Sequence, residues 1–299
     1  MLSFIVLMSL VICFSAILAL ALNFQWGLGG MINFGLAGLY ALGAYACAIF
    51  ILKLNMGFLS STLLAMLIVS LVCALISIVT LRVSEEDYFA IVTLGVGEML
   101  RLVVLNEDWL TGGALGLSGI PRPFSSIIPS DIYIYFFLAA YVFVLFFCIF
   151  LINILARSAF GRTMRAIRED DVVAATLGKN LLWARARIFA IGGLLIGLAG
   201  SMHAFYYQYI DPTQFSNIVV AYAIMAVIAG GKGSNFGVVI GSILIMLLLE
   251  GSRFLKEIIP GLGSDQLSAV RIIIIGVGLI LVLIYKPNGF MKEYRLSVQ

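Results

Sequence analysis

What most constrains this chain is a series of long apolar runs, at about 3–22, 31–52, 57–81, 88–105, 131–155, 188–209, 217–230, 236–250 and 269–285. Crossing the hydrocarbon core of a bilayer takes about 20 predominantly apolar residues in a helix. The runs are continuous rather than alternating, which favours helices over a transmembrane β-barrel. Composition agrees, with 63% hydrophobic and 11% charged residues among 299, against about 45–50% and 25% in soluble domains. A soluble interior has no room for that excess. The expected fold is all-α, a polytopic transmembrane bundle of about 8–10 spans, and a single domain over residues 1–299.

Three runs are weaker. The run 31–52 follows a glycine-rich stretch and reads as a helix broken at its start. The runs 217–230 and 236–250 are short and separated by Gly230-Gly231-Lys232-Gly233-Ser234. They read as two spans or as a re-entrant pair, whose irregular backbone must be buried in protein or face water. Residues 3–22 lack the basic n-region of a signal peptide and read as the first span.

Charge sets the orientation. Loop 156–187 holds seven basic residues (Arg157, Arg162, Arg165, Arg168, Lys179, Arg185, Arg187) against three acids (Glu169, Asp170, Asp171). The positive-inside rule places it in the cytoplasm. The tail after Tyr285 is also basic, so loop 106–130 must face outward. Nine full spans would leave the N-terminus outside; one re-entrant segment would reverse it. The net charge of +3 is too small to argue for nucleic acid.

Little in the chain suggests enzymology. His203 is the one histidine, and Cys13, Cys47, Cys73 and Cys148 lie inside apolar runs, where they read as small hydrophobes. No metal or other cofactor is expected on this chain. No Gly-x-x-x-x-Gly-Lys-[Ser/Thr] phosphate loop occurs, so the chain is not expected to hydrolyse ATP. A membrane enzyme would need clustered His, Asp or Cys.

Loop 156–187 is the most informative segment. Thr163 to Leu177 reads as a short helix, with Met164, Ile167, Ala174 and Leu177 at helical spacing and Gly178 as the C′ residue. It is either a solvated loop that fixes topology or a docking helix. A polar helix of this length has little reason to order unless something packs on it. Arg165 and Arg168 beside Glu169 and Asp170 would suit a cleft on a cytoplasmic partner. Glu98 and Arg101 lie one turn apart in an apolar run, as a mutual pair or with Glu98 on a pathway. Tyr88, Phe89 and Thr93 read as interfacial anchors or as pathway residues. His203 reads as an interfacial histidine near the outer end of its helix. Thr111-Gly112-Gly113 and Gly116 form an outward glycine-rich loop, flexible or a docking surface.

The run Gly161-Arg162-x-x-Arg165-Ala166-Ile167-Arg168-Glu169-Asp170, then Ala174-Ala175 and Gly178, resembles the cytoplasmic loop of ABC-importer permeases. More narrowly it is similar to the branched-chain amino acid permeases, the Liv family, and to their M-type subunit. Asn33-Phe34-Gly35-x-Ala37-Gly38, Tyr88-Phe89-Ala90-Ile91-Val92-Thr93-Leu94, Thr111-Gly112-Gly113-x-x-Gly116-x-x-Gly119-Ile120-Pro121 and Gly197-Leu198-Ala199-Gly200 fit in the same order. The likeness covers about 25–290. One departure is that the acids stand at 169–171, with Ala174-Ala175 close to Gly178.

The resemblance implies a permease subunit of an ATP-driven importer for branched-chain or other neutral amino acids. It implies Arg162, Arg165, Ile167, Arg168, Glu169, Asp170, Ala174, Ala175 and Gly178 as ATPase-coupling residues. Asn33, Tyr88, Phe89, Thr93 and Glu98 are the pathway candidates. Implied partners are an H-type permease in a heterodimer, two ATP-binding subunits carrying ATP and Mg, and an extracytoplasmic substrate-binding protein. The expected location is the bacterial inner membrane. The alternatives are an importer permease for urea or another small polar solute, and a stand-alone secondary transporter. The latter needs an intramembrane ionisable site, for which Glu98 is the serious candidate.

Overall fold

The computed structural model describes residues 2–83, 86–125, 128–251 and, nearer the C-terminus, 273, 276–278, 280, 284 and 289–291. Most of the ninth apolar run, 269–285, lies outside the described residues. The helices are α1 (Leu2–Asn23), α2 (Leu36–Leu52), α3 (Phe58–Val83), α4 (Glu86–Asn106), α5 (Asp108–Thr111), α6 (Ser130–Arg157), α7 (Ala159–Glu169), α8 (Asp171–Thr176), α9 (Leu181–Tyr207), α10 (Asn217–Gly230) and α11 (Asn235–Gly251). A π-helical segment, Phe24–Leu28, extends α1. Among the described residues, five helices are long and apolar enough to cross a membrane: α1 with its extension, α3, α4, α6 and α9.

The core is built around α9, which packs against α3, α2 and α1. Its glycines let neighbouring backbones approach closely, as helices do in lipid. A methyl group at Gly197 would lie 2.8 Å from Met66 Cα, and one at Gly200 would lie 2.7 Å from Ala44 N. The outer surface is apolar too. Leu59, Leu63, Leu67, Leu71, Leu75 and Val79 form an exposed stripe along α3, and Phe143, Phe146, Phe147 and Phe150 are exposed on α6. Such faces are unfavourable in water and suited to lipid tails.

The weaker runs resolve individually. Residues 29–35 are non-helical, and α2 starts only at Leu36, after a turn in which Gly30 takes φ +80°. The second helix is therefore short at its start, as its glycines suggested. Helices α10 and α11 form an antiparallel hairpin through Gly231–Ser234, with Gly230 against Gly237 and Ala226 against Gly241. They measure about 21 and 26 Å at about 1.5 Å per residue. The hairpin begins beside the turn Pro212–Phe215, and its tip meets Asn23 and Gly27 at the far end of α1. The Pro212–Phe215 turn packs on Tyr40 and Tyr45, midway along α2, and on His203, so α10 runs from the interior of the bundle to the end of α1.

The end of α1 touches α7 through Arg168 and Gly27. The end of α1 therefore lies at the same end of the bundle as loop 156–187, the cytoplasmic end if that loop is placed as its charge predicts, and the opposite end is then the outer one. At the outer end, β1 (Leu117–Ser118) pairs antiparallel with β2 (Tyr209–Ile210). The glycine-rich loop is therefore a folded platform rather than a free loop. Gly112, Gly113, Gly116 and Gly119 all take positive φ there, a conformation that glycine adopts without steric cost.

Candidate functional site

The cytoplasmic segment forms two helices, not one. Asp170 stops α7 at φ −156°, ψ 105°, and its Oδ1 accepts a hydrogen bond from Val173 N at 2.9 Å, capping α8. An N-terminal cap requires such extended backbone, so the expected continuous helix from Thr163 to Leu177 breaks at this acid. Gly178 ends α8 at φ +76°. Lys179 N donates to Ala174 O at 3.1 Å and Gly178 N to Ala175 O at 2.9 Å, a Schellman closure.

Met164, Ile167 and Ala174 are buried, as their spacing predicts. Leu177 is not: it is 74% exposed, with Val172 at 69% and Val173 at 52%. The break at Asp170 reorients α8 relative to α7, so the apolar face does not run on to Leu177. The three side chains form an outward apolar face on the loop. Ala175, Arg162, Glu169 and Gly178 are exposed beside it.

Arginines 165 and 168 bond within this chain rather than presenting their charge only to a partner. Arg165 donates to Ala156 O, and Arg168 donates to Gly27 O in the π-helical segment. Arg185, near the start of α9, reaches Asp171 Oδ2 at 3.6 Å. The α7–α8 unit is therefore tied to α1 and to α9.

A cavity of about 300 Å³ lies between α1, α9, α10 and α11 in the outer half of the bundle. Phe14, Leu18, Val219, Ile245 and Met246 supply apolar walls, and Tyr40, His203 and Gln214 a polar edge. His203 Nδ1 lies 2.8 Å from Tyr40 Oη, and its Nε2 lies 2.8 Å from Gln214 Oε1. Gln214 Nε2 donates to Asp211 Oδ2 at 2.9 Å. Phe14, Tyr207 and Phe215 surround the imidazole. His203 is thus a buried, bonded group, contrary to the interfacial reading, because the 211–215 turn folds over the end of α9.

A second cavity, of about 200 Å³, lies at the cytoplasmic end among α1, α6 and the hairpin tip. Asparagine amides cross-link its walls. Asn23 Nδ2 donates to Asn235 Oδ1 at 3.0 Å, and Asn235 Nδ2 to Asn153 Oδ1 at 2.8 Å. Gly233 N donates to Asn23 Oδ1 at 2.9 Å. Sequence reasoning missed this cluster, although polar amides in apolar runs were a visible signal.

The pathway candidates divide. Asn33, Phe89 and Thr93 gather where α2, α4 and α9 meet. Asn33 Nδ2 donates to Gln25 Oε1 at 3.0 Å, and Gln25 Nε2 donates to Phe189 O at 3.4 Å. Thr93 Oγ1 accepts from Phe34 N at 3.2 Å, and Phe89 packs edge-on to Phe189 with ring centres 4.7 Å apart. Tyr88 is exposed. Glu98 accepts from Arg101 Nε at 3.0 and 3.1 Å, is partly exposed, and lines neither of the two cavities.

An all-α bundle with apolar outer sides, an internal cavity and an anchored helix pair at one end defines the class as a multi-pass membrane protein. Residues 3–283 match the family described as "Branched-chain amino acid transport system / permease component", and the chain belongs to that family. It is 31% identical to the high-affinity branched-chain amino acid transport system permease protein LivM of Escherichia coli, over 93% of this chain and 68% of that protein. It is 24% identical to the probable branched-chain amino acid transport permease protein LivM of Methanocaldococcus jannaschii, over 93% of this chain and 90% of that one. Identity to the E. coli permease protein LivH is 25%, over 92% of this chain and 90% of that protein. No solved structure gives a significant match.

Proposed function

We propose that this chain is the M-type permease subunit of an ATP-driven importer for branched-chain or other neutral amino acids in a bacterial cytoplasmic membrane. It works beside an H-type permease, two ATP-binding subunits and an extracytoplasmic substrate-binding protein. ATP and Mg belong to the ATP-binding subunits, and this chain is a transport subunit rather than an enzyme. The higher identity to LivM (31%) than to LivH (25%) of the same organism supports the M-type assignment. The pairing of Glu98 with Arg101, away from both cavities, counts against an ion-coupled secondary transporter.

The observation that carries this reading is the outward apolar face of Val172, Val173 and Leu177 on a helix tied to α1 and α9. Closure of the ATPase dimer pushes on this face. ATP shifts the pathway only through contacts that differ between its two states. The outer cavity, with no Asp, Glu, Lys or Arg among its described lining residues, suits a neutral solute.

The test is to change Val173→Asp and Leu177→Asp together. The variant is expected to insert and melt like the parent, because both side chains are exposed, yet to lose co-purifying ATP-binding subunits and ATP-driven uptake. Unchanged co-purification and uptake would overturn the assignment of this face.

A further inference from the structure

The two cavities and the coupling loop meet along one seam. Helix α1 packs against both helices of the α10–α11 hairpin. In the outer half the two are separated by the 300 Å³ cavity, with Phe14 and Leu18 on one side and Ala223, Ile245 and Met246 on the other. In the cytoplasmic half they touch. A methyl group at Gly27 would lie 2.8 Å from Gly233 N and 3.0 Å from Gly233 Cα, so here two backbones are in contact. Lys232 Nζ sits 5.0 Å from the centre of the Trp26 ring. The bonds of Asn23 to Gly233 and Asn235, and of Asn235 to Asn153, close the contact. The Gly27 carbonyl also accepts a hydrogen bond from the Arg168 guanidinium of α7.

We infer that this contact is the transmission joint of the subunit. The π-helical segment with Gly27, pinned by Asn23 and Asn235 to the hairpin tip, carries movement of α7 to the α10–α11 hairpin and so resizes the outer cavity. The inference rests on the coupling-loop reading above. Three observations support it. Arg168 and Gly233 both contact a single residue, Gly27, so the path is continuous. The hairpin is hydrogen-bonded at its tip and bordered by open volume further out, so a displacement at the tip becomes a tilt. The segment between is π-helical, a geometry that recurs at functional sites. The joint moves as one body: its bonds persist while the hairpin swings, as in a rigid-element shift. Asn23 and Asn235 are positioning residues that need not touch the solute.

The test uses the complete importer in proteoliposomes. Asn23→Ala with Asn235→Ala is expected to keep the ATP-binding subunits bound and hydrolysing ATP, while uptake falls about tenfold or more, the scale of a coupling free energy. The second variant carries Asn23→Cys with Asn235→Cys. The native cysteines described here are all buried, which limits background reaction. Uncrosslinked, it is expected to transport as poorly as the alanine pair. Bridged by a short bifunctional thiol reagent, it is expected to regain uptake, because a covalent tie replaces the lost bonds. ATP hydrolysis that persists while uptake is lost is what separates broken transmission from a merely structural defect, which would lower both. Full uptake by the alanine pair, or loss of uptake on bridging, overturns the inference. If the unmodified chain binds no ATP-binding subunits, the coupling-loop reading fails and this inference with it, an outcome distinct from failure of the joint alone.

Discussion

Among single residues, those with most influence in this chain are small or amide-bearing, not charged. Gly200 sits where α9 crosses α2, and any side chain there meets Ala44 N and Tyr40 O at 2.7 Å. Overpacking of this kind costs about 1–3 kcal/mol, so Gly200→Val should lower the melting temperature in detergent. Gly95→Ala is the control: no atom lies within 4 Å of the added methyl, and stability should hold or rise slightly. Equal melting of the two variants would contradict the packing described here. The sequence displays Asn153 inside an apolar run and Asn23 and Asn235 at the edges of two others, but their partners lie 212 and 82 positions apart. No local pattern encodes such pairings. His203 departs from its interfacial expectation for a related reason: its neighbours in sequence are tyrosines typical of an interface, whereas its partners Tyr40 and Gln214 come from elsewhere in the chain.

At the level of elements, apolar periodicity located the spans well, because lipid imposes both length and helicity. Helix ends were less legible. The spacing of Met164, Ile167, Ala174 and Leu177 fits one helix, but Asp170 favours capping a new one over continuing the old. That choice turns Val172, Val173 and Leu177 outward. Losing such a cap costs about 1 kcal/mol, so Asp170→Ala should raise amide exchange in α8 about fivefold. Exchange in α9, capped separately by Asn180, should not change. Unaltered α8 exchange would mean that the cap does not set the break. The sequence of the hairpin fits two spans or a re-entrant pair, because 14 and 17 residues fall below and at the lower limit of a span. Its contacts with Asn23 and Gly27, far away in sequence, place its tip beside the end of α1.

At the scale of the whole molecule, orientation follows from charge and is carried to every helix by the contacts of α1 with α7. Because the described cysteines are buried, single introduced thiols can report sidedness. Ser118→Cys, on β1, should react with an impermeant maleimide applied from outside. Lys179→Cys, beyond α8, should react only after permeabilisation. Reaction of both from outside would invert the arrangement. Fold class and family were readable from the order of glycine and charge motifs along the chain, and the family comparison agrees over residues 3–283. The seam between α1 and the hairpin was not readable, since it joins the first fifty residues to the last hundred.

The most direct measurement of the central claim is to purify the tagged chain from its native membrane in mild detergent, identify what comes with it, and reconstitute the material. Two ATP-binding subunits, a second permease and ATP-dependent amino acid uptake are the expected result. A chain that purifies alone and transports in liposomes without ATP would contradict it.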